Sequence, residues 1–234
     1  MSPKNQLPLA PPPKGPIAIR PEYLTHDPTT TLHIKEHDYS LSRRDFSARD
    51  AHNNPLMTAS GKTLSTALRR EFLDPSGLPL FELRKCSPTT PSKARANPSW
   101  SLALPGHLGS EETHDEILTA TFKPFWIHPK LDLHLKNLAP PSHTAFNTPS
   151  SQTPYAENVV LQVRGQDASR LVTHVLCEGR KIMHVRRAAE GLGGAEGVYP
   201  HGIGYKPEWE VEVAEGVDVC LAVVVVVILA EHRF

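Results

Sequence analysis

The sequence predicts an all-β domain, a sandwich or barrel built from many short strands, and three observations carry that reading. Leu131-Asp132-Leu133-His134-Leu135-Lys136 alternates apolar and polar residues without a fault, and Trp209-Glu210-Val211-Glu212-Val213 does the same. Successive side chains of a strand point to opposite faces, so period two marks a strand with one buried face. Between Phe72 and Phe81, Asp74-Pro75-Ser76-Gly77 supplies turn chemistry between two apolar stretches, which reads as a hairpin.

Residues 1–30 hold eight prolines and little apolar periodicity, and they read as a disordered or extended lead-in. As a tail this segment is either simply solvated or a docking segment for an aromatic groove. Strand patterning is legible from Tyr39 onward. Phe81-Glu82-Leu83-Arg84 sets apolar residues on one face and charges on the other, and Val159 to Arg164, Leu171 to Cys177 and Lys181 to Val185 are further strands, with Gly179 turning between the last two. Three polar, Pro/Ser/Thr- or Gly-rich stretches, 86–99, 138–157 and 188–207, read as long loops on a compact framework. The chain therefore divides into a tail over 1–30 and one domain over 31–234.

Composition narrows the class. The 234 residues carry 25 Lys+Arg and 25 Asp+Glu, so the formal charge is +0, which removes any whole-chain case for binding nucleic acid. Cys86, Cys177 and Cys220 are odd in number and far apart, a pattern expected of an intracellular, cytoplasmic protein rather than a disulfide-stapled secreted one. The proline-broken start lacks the apolar core of a signal peptide.

Val219 to Ala230, VCLAVVVVVILA, is wholly apolar between Asp218 and Glu231. A spanning helix needs about 20 such residues, so the run reads as a buried core element and the protein as not transmembrane. Five consecutive valines favour a strand by propensity. The length favours a helix, and a helix apolar all round must be buried all round. Local propensity leaves the two open.

Several segments together resemble the LURP-one-related family, whose fold is shared with the tubby C-terminal domain and the phospholipid scramblases. Phe46-Ser47-Ala48-Arg49-Asp50 followed by Leu56-Met57 resembles its early strands, and Arg70-Glu71-Phe72-Leu73-Asp74-Pro75-Ser76-Gly77-Leu78-Pro79-Leu80 resembles its Asp-x-x-Gly-x-x-Leu hairpin. Trp100 sits where the family begins its next strand, and Trp209 to Val213 with Ala214-Glu215-Gly216-Val217-Asp218 resembles its entry into a final apolar helix. The resemblance spans about residues 39–231. It implies an antiparallel barrel of about twelve strands closed around one hydrophobic C-terminal helix, Val219 to Leu229, with Asp218 as N-cap or first-turn carboxylate.

Motifs for catalysis are weak. Gly61-Lys62-Thr63 resembles the end of a phosphate-binding loop, but the glycine required five positions earlier is Leu56, and the setting is β-rich. The glycines between Gly191 and Gly204 spell no dinucleotide fingerprint, and there is no G-x-S-x-G elbow. His107, His114, His128 and His134 share a region without metal-ligand spacing, and His134 and His174 would meet only by register. No enzyme activity, cofactor or metal is expected. Scramblase-type features, a cysteine cluster for palmitoylation and a Pro-Pro-x-Tyr tail, are missing. Ser87-Pro88, Thr90-Pro91, Thr148-Pro149 and Thr153-Pro154 offer proline-directed phosphorylation dipeptides.

Basic residues are the remaining functional signal. Arg69, Arg70, Arg84 and Lys85 flank the first hairpin, and Arg164, Arg170, Arg180, Lys181, Arg186 and Arg187 crowd the later strands. Most such charges solvate a strand face. Tubby domains bind phosphoinositides, so the resemblance implies a headgroup site, with Arg164, Arg180, Lys181 and Arg187 as candidates. The expected function is a non-enzymatic binding or scaffold module recognising phosphoinositides or other anionic lipids at a membrane periphery. The alternative is a protein-interaction adaptor using the tail and long loops.

Overall fold

A computed structural model describes residues 7–39, 42–61, 69–86, 99–106, 116–123, 130–140, 157–167, 171–188 and 207–231. Twelve strands are present: β1 (Thr29–Tyr39), β2 (Ser42–Asp50), β3 (Pro55–Gly61), β4 (Arg69–Leu73), β5 (Pro79–Cys86), β6 (Ser99–Ala103), β7 (Glu116–Lys123), β8 (Lys130–Asn137), β9 (Glu157–Gly165), β10 (Val172–Cys177), β11 (Arg180–Ala188) and β12 (Glu208–Ala214). All pairings between neighbours are antiparallel, and β1 pairs with both β2 and β12, which closes the barrel. The helix α1 (Val219–Glu231) fills the lumen. The twelve-stranded barrel around a C-terminal helix is thus the observed architecture.

Inward positions follow the period of two: Leu32 and Ile34 on β1, Phe72 on β4, Leu118, Ala120 and Phe122 on β7, Leu131, Leu133 and Leu135 on β8, Val211 and Val213 on β12. Every residue of α1 from Val219 to Ile228 is buried. Burial on all sides overrides the β-propensity of the valines, because only a helix satisfies its own backbone groups inside a lumen that offers no ladder partner. The Asp74 hairpin forms as read. Asp74 Oδ1 accepts N–H bonds from Ser76 and Leu78, both 2.9 Å, and Gly77 takes a φ of 87°, where a side chain would be strained.

Two polar devices hold the ends of α1. At its start, Asp218 has no exposed surface. Oδ1 accepts the Cys220 N–H at 2.7 Å, an N-cap, while Oδ2 accepts the N–H groups of Ile19 (3.0 Å) and Arg20 (2.8 Å). At its end, Glu231 meets Arg70 of β4. Arg70 Nε donates at 3.0 Å and Nη2 makes a closer contact, with both side chains buried.

The N-terminal segment corrects the sequence reading. Over the described residues 7–28, the expected disordered lead-in is folded onto the barrel. Ile17, Ala18 and Ile19 are core residues. Ile17 bridges Val217, Leu24 bridges Asp218, and Leu9 bridges Lys181. Beyond the Met183–Val213 pair, β12 leaves β11 to enter α1, and the Ala10 N–H binds the Lys181 carbonyl at 2.9 Å in its place. An isolated apolar triplet among prolines has no periodicity to read; its burial depends on an open barrel end far along the chain. Strand β1 likewise begins ten residues before Tyr39. Residues 1–6, most of each long loop (86–99, 138–157, 188–207), Lys62, Thr63, His107, His114, His128, Arg170, the glycines from Gly191 to Gly204 and the four Ser/Thr-Pro dipeptides lie outside the described residues.

Burial drives the Asp218 carboxyl up to about 6, against the N–H bonds of Arg20, Cys220 and Ile19, which favour the ionised form. A raised folded pKa stabilises below the unfolded value near 4, and that contribution fades as pH rises through about 6. Asp218→Asn does not titrate. Its destabilisation relative to the parent, from denaturant melts, is therefore expected to be larger at about pH 4 than at about pH 7, by roughly 2–3 kcal/mol. A pH-independent difference would refute this linkage. For the other helix end, Arg70→Met alone is expected to cost about 3–5 kcal/mol, since it strands a buried carboxylate, and adding Glu231→Leu to recover most of that loss.

Candidate anion-binding face

The outer face of β7 to β11 carries a transverse row of basic and histidine side chains. Each strand contributes its outward position by simple alternation, and the registers align them. Lys123 of β7 lies opposite Lys130 of β8, Lys130 opposite Arg164 of β9, Arg164 opposite His174 of β10, and His174 opposite His184 of β11. The row ends on β12, where His184 faces Glu212. Like charges directly opposite each other destabilise a sheet, and this row places three cations in succession. A built-in counter-charge comes from Asp132, one position along β8. Its Oδ1 accepts from Arg164 Nη2 at 2.7 Å and its Oδ2 meets the Lys123 ammonium. Burial works to raise the Asp132 pKa, but bonds from Lys123 and Arg164 and their charges outweigh it and hold the carboxyl below the usual range.

The two imidazoles form the next step of the row. Their ring centroids are 5.1 Å apart with planes tilted by 48°, and Nδ1 of His184 is buried without a hydrogen-bond partner. Burial first, then the Lys181 charge and the partner His184, push His174 down to about 4. His184 is lowered by burial and by Lys181, against the opposing charge of Glu212. Both rings are neutral at neutral pH and available as donors or acceptors.

The four residues singled out from sequence do not share one site. Arg164 sits in the row, but its guanidinium also serves the fold, donating from Nη1 to the Leu131 and Val163 carbonyls at 3.0 and 2.9 Å. Lys181 is on the same face, one position along β11 beside the histidines, and only 7% exposed. Arg180 is exposed at the β10–β11 turn, opposite Cys177 and off the row. Arg187 faces inward at the other end of the barrel, opposite Trp209, with its guanidinium 5.9 Å from that ring's centroid. Of the flanking basic residues, Arg69 pairs with Glu82 and Arg186 with Glu210. Lys123, Lys130 and His184 escaped the sequence reading. Strand alternation marks each as outward, yet their adjacency exists only in the register. His134 does not meet His174, because β9 separates them and His134 faces Val160. Among the described residues there is no group of three or more His, Cys, Asp or Glu that could hold a metal ion. No described helix is long and apolar enough to cross a membrane.

Asp132→Asn leaves Lys123 and Arg164 without their shared carboxylate. The expected loss is about 1–3 kcal/mol at low salt, shrinking as added salt screens the repulsion. Equal losses at low and high salt, measured by denaturant melts, would show that Asp132 acts through packing instead.

Comparison with known proteins agrees with the architecture. The X-ray structure of an Arabidopsis thaliana protein superposes with a TM-score of 0.55 at 17% sequence identity, covering 94% of this chain and 100% of that one; at that identity the likeness is one of fold. No curated protein matches the sequence. A model of the LURP-one-related family matches residues 30–230, from the start of β1 to the last turn of α1, and the chain belongs to the LURP-one-related family.

Proposed function

We propose that this LURP-one-related barrel is a non-enzymatic binding module that recognises anionic lipid headgroups at a membrane surface, and that the outer face of β7 to β11 is the contact. The observation that carries this reading is the row Lys123–Lys130–Arg164–His174–His184 with Lys181 beside it. Two of its three successive basic positions, Lys123 and Arg164, share one aspartate, so that pair is only partly neutralised as folded. A ligand bearing phosphate oxygens supplies the missing negative charge and accepts charge-assisted hydrogen bonds. A membrane surface presents such oxygens over an area, which suits an open outer face better than a pocket would.

The adaptor reading relied on a free proline-rich tail and on the long loops, and most of those loops lie outside the described residues. Over residues 7–16 the prolines are instead laid on the barrel, with Pro12 buried and Ala10 bonded to Lys181. A groove-binding partner would have to compete with that contact.

The test is co-sedimentation of the full chain with vesicles, since residues 7–24 belong to the folded body. Phosphatidylcholine vesicles are compared with the same vesicles containing phosphoinositides, at low and moderate salt. Selective, salt-sensitive binding is expected. Lys123→Gln/Lys130→Gln should weaken it by about thirtyfold, from roughly 1 kcal/mol per basic residue at an anionic surface. Equal binding to both vesicle types, or none, would overturn the proposal.

A further inference from the structure

We propose that the His174–His184 pair, with Arg164 and Lys181 beside it, is an oxyanion site that takes up a proton together with its ligand, so that this face binds phosphate-bearing ligands more tightly as the medium turns from neutral to acidic. The inference builds on the headgroup reading and adds its regulation.

The geometry is set by one extra residue. Glu178 and Gly179 make a two-residue turn with positive φ at both positions, 48° and 82°, the backbone that matches strand twist. Continued regularly, that hairpin would set His174 against Met183. The register shifts between Val175 and Leu176, so Val175 pairs with Met183, Leu176 with Lys181, and Ile182 is the bulged residue. The bulge thereby brings His184 opposite His174 and Lys181 to the same outer face. Bulges re-aim side chains, and here the result is two adjacent, mutually tilted imidazoles, a guanidinium and an ammonium gathered on three adjacent strands.

The surrounding charges come from every neighbouring element. Strand β9 supplies Arg164, β11 supplies Lys181 and Arg186, and β12 supplies Glu210 and Glu212, while Asp132 of β8 is bonded to Arg164. Glu210 is engaged by Arg186 at 2.7 Å. Glu212 is therefore the carboxylate facing His184 across the ladder, and it favours the imidazolium there. Desolvation and Lys181 oppose imidazolium at both rings. An oxyanion seated over the pair reverses the balance: it cancels the Lys181 field and accepts from both rings. Each proton taken up with the ligand then strengthens binding by up to about tenfold per pH unit, between the bound-state and free-state pKa values.

Sulfate is the first probe, because its charge stays fixed between about pH 7.5 and about pH 4, a range in which phosphate itself titrates. The imidazole proton resonances of the full chain are followed by NMR with and without sulfate. Sulfate is expected to move the His174 and His184 titrations upward by about one pH unit, and its affinity to rise on acidification. His174→Gln and His184→Gln, checked for folding by circular dichroism, should flatten that rise, whereas Arg180→Gln at the exposed turn should not. Histidine titrations unmoved by sulfate, or an unchanged pH dependence in both glutamine variants, would overturn the proposal. A second arm uses phosphatidylcholine vesicles containing phosphatidylglycerol, whose charge is also fixed. Histidine-dependent tightening on these vesicles supports the site with a lipid-borne ligand. Coupling to sulfate and inorganic phosphate but not to vesicles supports the site with a free phosphate compound, and the headgroup reading then fails alone. Vesicle binding at about pH 7.5 with no histidine effect at any pH overturns this inference and leaves the headgroup reading standing.

Discussion

The structure depends on one constraint: α1 is apolar on every side, so it has no face that can be left in water. A helix of thirteen residues is about 20 Å long, and enclosing it laterally requires a sheet that closes on itself. Twelve strands do so with β1 hydrogen-bonded to both β2 and β12. The closed ladder satisfies the backbone of the wall, and the helix satisfies its own. What neither satisfies is the start of the helix, where Asp218 accepts the Cys220 N–H; at the other end Arg70 of β4 holds the Glu231 carboxylate. The same Asp218 carboxylate fixes Ile19 and Arg20 of the N-terminal segment, so one buried side chain couples the chain's start to its last helix across 199 residues. Substitutions at Asp218 therefore report on cap and plug together, which is why its linkage to pH is measurable as a property of the whole fold.

How much of this was legible in the sequence depends on whether the signal is local. The Asp74 turn, the alternation of β8 and β12, and the turn at Gly179 are written in adjacent residues, and each forms as read. Val219 to Ala230 was ambiguous locally, because five valines prefer a strand when half-exposed and tolerate a helix only when something surrounds them. Ile17-Ala18-Ile19 was not legible at all, since three apolar residues among prolines have no period, and their burial partners Val217 and Asp218 lie about two hundred positions away. The candidate site shows the same limit. Arg164, Lys181 and Arg187 are all basic strand residues near one another in sequence. Alternation and one bulge send Arg187 to the inner face against Trp209 and keep the other two outside. The histidine pair is invisible without the bulge at Ile182, because a regular hairpin places those rings out of register.

Filling the lumen also decides where recognition can occur. Many barrels hold their ligands inside, but here the interior is occupied by α1 and by the inward side chains that pack on it. Chemistry is left to the outer face and the rims. The rim at the start of α1 is taken up by residues 9–24, which bridge β11, the turn before α1 and Asp218. On the outer sheet the distribution of charge is uneven among the described residues, although the chain as a whole is balanced at 25 basic and 25 acidic residues. Glu208, Glu210 and Glu212 all point outward along β12, while the neighbouring strands carry the basic row. Net neutrality thus conceals a face with a basic row on one side and an acidic strand on its border.

That border gives the face its direction. A strip of carboxylates along β12 repels an anionic surface, so on the proposed headgroup reading a phosphate layer is favoured over β7 to β10 and disfavoured beyond β11. His184 lies on the dividing line, between His174 on one side and Glu212 on the other. A proton there extends the favourable area by one strand; its loss returns the boundary to β10. The histidines are placed where one charge changes the shape of the basic surface and not only its strength. Placed at the centre of the row, among three cations, the same proton would add to a charge already present and move no boundary.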